Sequence, residues 1–282
     1  MSQPKTNDFI NVRLGKIRTP TSEDFTHMPP IWHISTAEQR QIGVLVIHGF
    51  TSSPSSMYHI NQTLIKQGYC VACPMLPGHG TTYKDLAVTK ETDWFNTVLQ
   101  SYQQLQKHCE HIVVIGQSLG GALALQLADL QPSIDRLILL SPAIEAPKLL
   151  HIACRLKSLL QLLHITHIKA AGGDIKNKQA YETCYRKIPM PIYAELLNCI
   201  NHTKAILPNI KVPTTIFASH KDHIVSAKGI EVGYQALGAH DKELYWCDNS
   251  YHVLSRDNDL KQIIDYILNY LATLEQTPDH YC

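Results

Sequence analysis

The chain has 282 residues, enough for one large α/β domain or one domain with an insertion. Hydrophobic residues make up 44% and charged residues 17%, a balance that builds a packed core and excludes disorder. The formal net charge is +1, with no basic stripe and no acidic tail, so nucleic acid is not an expected partner.

The opening stretch, MSQPKTNDFINVRLGK, has no apolar run of signal-peptide length, so export by that route is not expected. GVLVIHGF (43–50) reads as a buried strand ending at a glycine. Ser53-Pro54 reads as a helix start and Gly68 as its stop. YCVACPML (69–76) is the next strand, followed by the turn-rich PGHG (77–80). From Glu91 to Cys109 apolar residues return at helical spacing, among them Trp94, Phe95, Val98, Tyr102 and Leu105. HIVVIG (111–116) is a strand, Leu119 to Leu130 a helix, and IDRLILLSP (134–142) a strand.

This alternation predicts parallel strands with helices on both faces. It breaks near residue 143, where about seventy residues show helical patterns and no convincing strand. It resumes with VPTTIFAS (212–219), a helix over Ala227 to Leu237, the strand ELYWCD (243–248) and a last helix from about Asn258 to Leu274. One mostly parallel sheet is therefore expected from residues 1–142 and 206–282, with a helical insertion over 143–205.

The most apolar helical stretch, Leu149 to Ile168, carries His151, Arg155, Lys157, His164 and His167, which argues against a membrane span. It reads as packing surface with its His and Arg residues solvated, and as a source of leucines for an apolar pocket. The eight cysteines are scattered. The close pair, Cys70 and Cys73, falls three apart in a strand, on opposite faces, so it suits neither a zinc site nor a disulfide. Thiols used as small apolar residues suit a reducing cytoplasm.

Gly116-Gln117-Ser118-Leu119-Gly120 fits G-x-S-x-G between a strand and a helix, the context that gives the pattern meaning. A sharp turn there strains the serine backbone and exposes its hydroxyl, while the glycines clear space. A serine hydroxyl needs a base, and the base an orienting acid. Asp222 follows the strand ending at Ser219, and His252 follows the strand 243–248, so both fall at the edge that carries Ser118. Asp248 and Asp257 are rival acids; Asp248 reads as a strand end and Asp257 as a helix start. Oxyanion donors are expected from the backbone N–H groups of Leu119 and Phe50. His48 reads as a structural residue of its loop, His79 as a loop hydrogen-bonder, and the Phe50 ring as pocket lining or core.

HGFTSSP (48–54), LPGHG (76–80), DW (93–94), GQSLGG (116–121), HKDHIV (220–225) and SYHVLSRD (250–257) together resemble the α/β-hydrolase family. Within it they are most similar to small bacterial carboxylesterases related to monoacylglycerol lipases. The resemblance spans roughly residues 40 to 272 and implies carboxylic ester hydrolysis without a cofactor, on short- to medium-chain acyl esters or monoacylglycerols. His220 stands where a glycine is more usual, Tyr251 where a small residue is commoner, and the cap region matches least. Thioester hydrolysis and acyl transfer run on the same three residues and stand beside ester cleavage. A hydrolase-fold ligand receptor is the alternative of another class, and the intact Ser118, Asp222, His252 set speaks against it.

Overall fold

A computed structural model describes residues 29–36, 41–156, 166–169, 173–185 and 187–275. Seven strands form one sheet: β1 (Ile31–His33), β2 (Ile42–Ile47), β3 (Cys70–Cys73), β4 (His111–Gln117), β5 (Arg136–Leu140), β8 (Thr214–Ala218) and β9 (Lys242–Trp246). Their order across the sheet is β1-β3-β2-β4-β5-β8-β9. All neighbours run parallel except the edge strand β1, which pairs antiparallel with β3.

The central strands are short apolar runs because both faces are covered. Alternation sorts their side chains into two cores. Leu45, Ile47 and Val114 pack on one face with Trp94 and Tyr102 of α3 (Glu91–Leu105) and Leu123 of α4 (Leu119–Leu130). Val44, Val46, Val113 and Ile115 pack on the other face. There they meet Ile60 and Leu64 of α1 (Tyr58–Lys66) and Ile263, Ile267 and Leu271 of α8 (Leu260–Glu275). Each such buried aliphatic side chain stabilises the fold by about 1.5–3 kcal/mol.

Several expectations shift. Pro74 removes a ladder donor, so β3 stops at Cys73. Ser53-Pro54 opens a 3₁₀ turn (Pro54–Met57) that runs into α1. A four-residue helix, α2 (Tyr83–Leu86), starts at a Thr82–Asp85 capping box. The interruption between β5 and β8 is not strand-free: β6 (His167–Lys169) pairs antiparallel with β7 (Lys187–Pro189). Three residues per strand are too few for alternation to be read from sequence. The same region carries α5 (Lys148–Arg155) and α6 (Met190–Ile206). Of the Leu-rich stretch, residues 157–165 lie outside the described residues. The helix α7 (Ala227–Ala236) follows β8.

The insertion is anchored to the sheet through α4. Gln126 of α4 donates from Nε2 to the Cys199 carbonyl at 3.1 Å and to Thr203 Oγ1 at 2.9 Å, both on α6. A buried amide in an apolar interface is tolerated because it is bonded.

Candidate functional site

Ser118 sits between β4 and α4 with φ 54° and ψ −112°, a strained conformation for a residue with a side chain. Its N–H donates to the Leu140 carbonyl at 2.9 Å. Two glycines make the turn fit. A Cβ on Gly116 would meet Gly120 O at 2.4 Å, and one on Gly120 would meet Ile47 O at 2.2 Å.

The loops after β8 and β9 bring Asp222 and His252 to this serine. Ser118 Oγ lies 2.9 Å from His252 Nε2, and His252 Nδ1 lies 2.7 Å from Asp222 Oδ2. With the ring proton on Nδ1, facing the carboxylate, Nε2 accepts the serine O–H. The other Asp222 oxygen accepts the N–H groups of Ile224 at 2.7 Å and Val225 at 2.8 Å. The Asp222 side chain is 2% exposed and that of His252 10%. Burial pushes the Asp222 carboxyl up. The hydrogen bond and charge of His252 and the two amides outweigh it, leaving the carboxyl below its ordinary value.

The rival acids are engaged elsewhere. Asp248 accepts the His220 N–H at 3.0 Å and pairs with His220 Nδ1, whose ring stacks on Trp246 at 3.8 Å. Asp257 does not cap the last helix by its side chain, as the sequence suggested. Its carboxylate accepts the N–H groups of Lys176 (2.7 Å), Asn177 (2.9 Å), Tyr251 (2.8 Å) and Asn258 (2.9 Å). It knits the insertion to the histidine loop, because four converging amides need a buried anion more than a helix terminus does.

Phe50 and Leu119 line the same cavity as Ser118. No acceptor among the described residues takes the N–H of either. The Phe50 loop lies against the serine turn: a Cβ on Gly49 would sit 3.6 Å from Ser118 Cβ, an ordinary contact. His48 fixes this loop from behind. Its Nδ1 bonds the Gly49 carbonyl at 2.9 Å, and its Nε2 accepts the Leu76 N–H at 3.2 Å. Burial, aided by the charge of His79 and opposed by the Gly49 carbonyl, lowers the His48 pKa to about 3, so the ring is neutral. His79 bonds the Pro77 carbonyl at 3.0 Å, and burial lowers its pKa to about 4. The Phe50 ring packs edge-on to His79 and Trp94 and also faces the cavity.

The cavity holds about 350 Å³. Much of its apolar wall comes from the insertion: Leu150, Ile168, Ile188, Tyr193, Leu196 and Ile200. Glu145, Asp174 and Glu182 bring carboxylates to it. Burial pushes the Glu182 carboxyl up against the opposing pull of Ser52, His252, Arg256 and the Gly173 backbone. Ser118, Asp222, His252, Phe50 and Leu119 therefore meet as the sequence led us to expect. The side chains of Gln117, Asp174 and Glu182 also reach the site and were not expected. Two of them lie in the insertion, where no motif marks them among 24 acidic residues. No helix of the described residues is long and apolar enough to cross a membrane.

Comparison with known proteins fits this geometry. The chain is 35% identical over 236 residues to the thermostable monoacylglycerol lipase of Bacillus sp. (strain H-257), covering 84% of this chain and 92% of that one. It is 24% identical to the carboxylesterase of Bacillus subtilis (strain 168), over 82% and 93% of the two chains. A solved structure from the metagenome-derived lipolytic enzymes LipS and LipT superposes with a TM-score of 0.81 at 29% identity, covering 92% of this chain and all of that one. The monoacylglycerol lipase of Paleococcus ferrophilus shares the fold, with a TM-score of 0.68 at 16% identity over 87% and 99% of the chains. The family described as serine aminopeptidase, S33, matches residues 38–259, and with its parallel sheet and elbow serine the chain belongs to that family of α/β hydrolases.

Proposed function

We propose that the chain cleaves carboxylic esters of monoacylglycerol type through an acyl-enzyme, with Ser118 as nucleophile, His252 as base and Asp222 as orienting acid. The observation that carries this reading is the continuous hydrogen-bonded chain Asp222–His252–Ser118, ending on a cavity with an apolar wall. His252 Nε2 takes the proton as Ser118 Oγ bonds the ester carbon. The carbonyl oxygen gains charge and accepts the N–H groups of Phe50 and Leu119. The carbon–oxygen bond to the alcohol breaks, and Nε2 returns the proton to the leaving oxygen. Water, deprotonated by the same nitrogen, then releases the acid and restores Ser118.

Residues 143–205 act as the cap in this reading. Leu150, Ile188, Leu196 and Ile200 supply an apolar wall for an acyl chain. The buried Glu182 carboxyl, close enough to feel the charge of His252, suits the hydroxyls of a polyol alcohol. The name of the monoacylglycerol lipase relative supports the same substrate class. A cytoplasmic location accords with thiols used as core residues: six of the seven cysteines among the described residues are buried.

The test is a series of 1-monoacylglycerols and p-nitrophenyl esters of rising chain length, with amino-acid anilides and acyl-CoA in parallel. Expected are hydrolysis of the glycerol esters with an optimum chain length, and none by Ser118→Ala. Faster cleavage of anilides or thioesters than of glycerol esters would overturn the substrate class.

A further inference from the structure

The ring of His252 is fixed by Ser118 and Asp222, but its peptide group is held separately. Residues 247–253 form no strand or helix, so no ladder sets the position of His252. Two side chains do. The His252 carbonyl accepts Gln117 Nε2 at 3.0 Å, and the His252 N–H donates to Asp174 Oδ2 at 3.3 Å.

These side chains come from opposite parts of the site. Gln117 is the last residue of β4 and directly precedes Ser118. It is 2% exposed and follows the buried run Ile112–Gly116, which has no polar side chain. Packing there would be met by a leucine, and a buried amide is costly unless bonded. Its Oε1 accepts the Ser255 N–H at 3.4 Å, so donor and acceptor both point at the histidine loop.

Asp174 belongs to the insertion. Its backbone carbonyl accepts the Val253 N–H at 3.1 Å, and its Oδ2 accepts the His223 N–H at 3.1 Å. Its Oδ1 lies 2.8 Å from His223 Nδ1. One residue thus ties the loop carrying His252 to the loop carrying Asp222. Asp257 stitches the same insertion loop to the histidine loop through Lys176, Asn177 and Tyr251.

We infer that Gln117 and Asp174 are positioning residues: a two-point clamp on the His252 peptide that sets the imidazole against Ser118. This rests on the Ser118–His252–Asp222 reading above. Asp174 also makes the clamp depend on the insertion, so the base is fully aligned only with the insertion seated. A displacement of about 1 Å at a catalytic group costs as much as 100-fold in rate.

The test compares Gln117→Met, Asp174→Ala and Asp174→Asn with wild type and Ser118→Ala on one monoacylglycerol. Met matches Gln in size and cannot bond, and Asn keeps an acceptor for the His252 N–H. Gln117→Met and Asp174→Ala are expected to lose kcat by roughly 10- to 100-fold, with KM for Gln117→Met little changed. Asp174→Asn should recover most of the Asp174→Ala loss. The low-field proton resonance of the His252–Asp222 bond should shift or broaden in Gln117→Met and Asp174→Ala while circular dichroism stays native. Wild-type kcat and an unmoved resonance in both, with Ser118→Ala inactive, would overturn the clamp alone. Activity in Ser118→Ala would overturn the triad reading and the clamp with it.

Discussion

The two ends of the sheet each carry a polar network built around buried side chains, and they differ in what they leave open. At the carboxyl ends of the strands, Asp222, His252 and Ser118 form a chain that stops at a cavity, beside two N–H groups with no acceptor among the described residues. At the opposite end, Arg136 of β5 bonds Thr215 Oγ1 at 2.9 Å, pairs with Asp241 and Glu243, and lies 4.7 Å over the Tyr270 ring. Tyr266 closes that circuit by bonding Thr215 and Glu243. The second network ties α8 to the sheet and lies outside the cavity on which Ser118 opens. Burial and short hydrogen bonds therefore do not mark a reactive site. An unfinished network does: a strained serine, idle donors and space for a ligand.

The sharpest way to break this contrast is to neutralise one charge at each end. Asp222→Asn should cut kcat by about 10⁴-fold, because the amide favours the wrong imidazole tautomer. It should leave KM and the unfolding midpoint close to wild type. A loss under tenfold in steady-state assays would contradict the role of Asp222. Arg136→Met should do the reverse. It removes charge-assisted bonds whose carboxylate partners are half exposed and can turn to water. Stability should fall by about 1–3 kcal/mol in urea titrations, with kcat on the folded protein unchanged. A large kcat loss would make the far network part of the machinery.

A subtler test uses acid. His48 and His79 are held neutral, with pKa values of about 3 and about 4, against about 6.5 in an unfolded chain. Below that unfolded value the unfolded chain binds more protons, so stability should fall as pH drops from about 6.5 toward 4, by at most about 1.4 kcal/mol per pH unit for each proton. Asp222 adds to the loss further down. Its carboxyl lies below the ordinary value, so its contribution is full above about pH 4 and fades as pH falls through the native value. His48→Asn should flatten the upper part of this profile, and an unchanged slope in urea titrations across pH would show that His48 is not held neutral. The smallest effect is expected at the rim. His220→Ala removes an exposed pair with Asp248 and should change stability by under about 1 kcal/mol, which a urea titration resolves.

The sheet and the core of the site were legible because their signals are local and ordered. The GQSLG turn requires its glycines sterically, and Asp222 and His252 each follow a recognisable apolar strand. The chemistry of the insertion was not legible. β6 and β7 are too short to show alternation, and Asp174 and Glu182 act through contacts with residues distant in the chain, Asp174 with His252 78 positions away. Asp257 misled for a related reason. Its place before a helix suggests a cap, and only the fold shows four amides converging on it. Gln117 lies within the serine motif, but its partner is a carbonyl 135 residues away.

The most direct test of the central claim is covalent labelling of the native protein with an alkyl fluorophosphonate, read by intact-mass and peptide mass spectrometry. The account predicts one adduct per chain, on Ser118, with loss of esterase activity in step with labelling. Ser118→Ala should take no label, and Asp222→Asn should label far more slowly. Stoichiometric labelling at another residue, or full esterase activity after Ser118 is blocked, would contradict it.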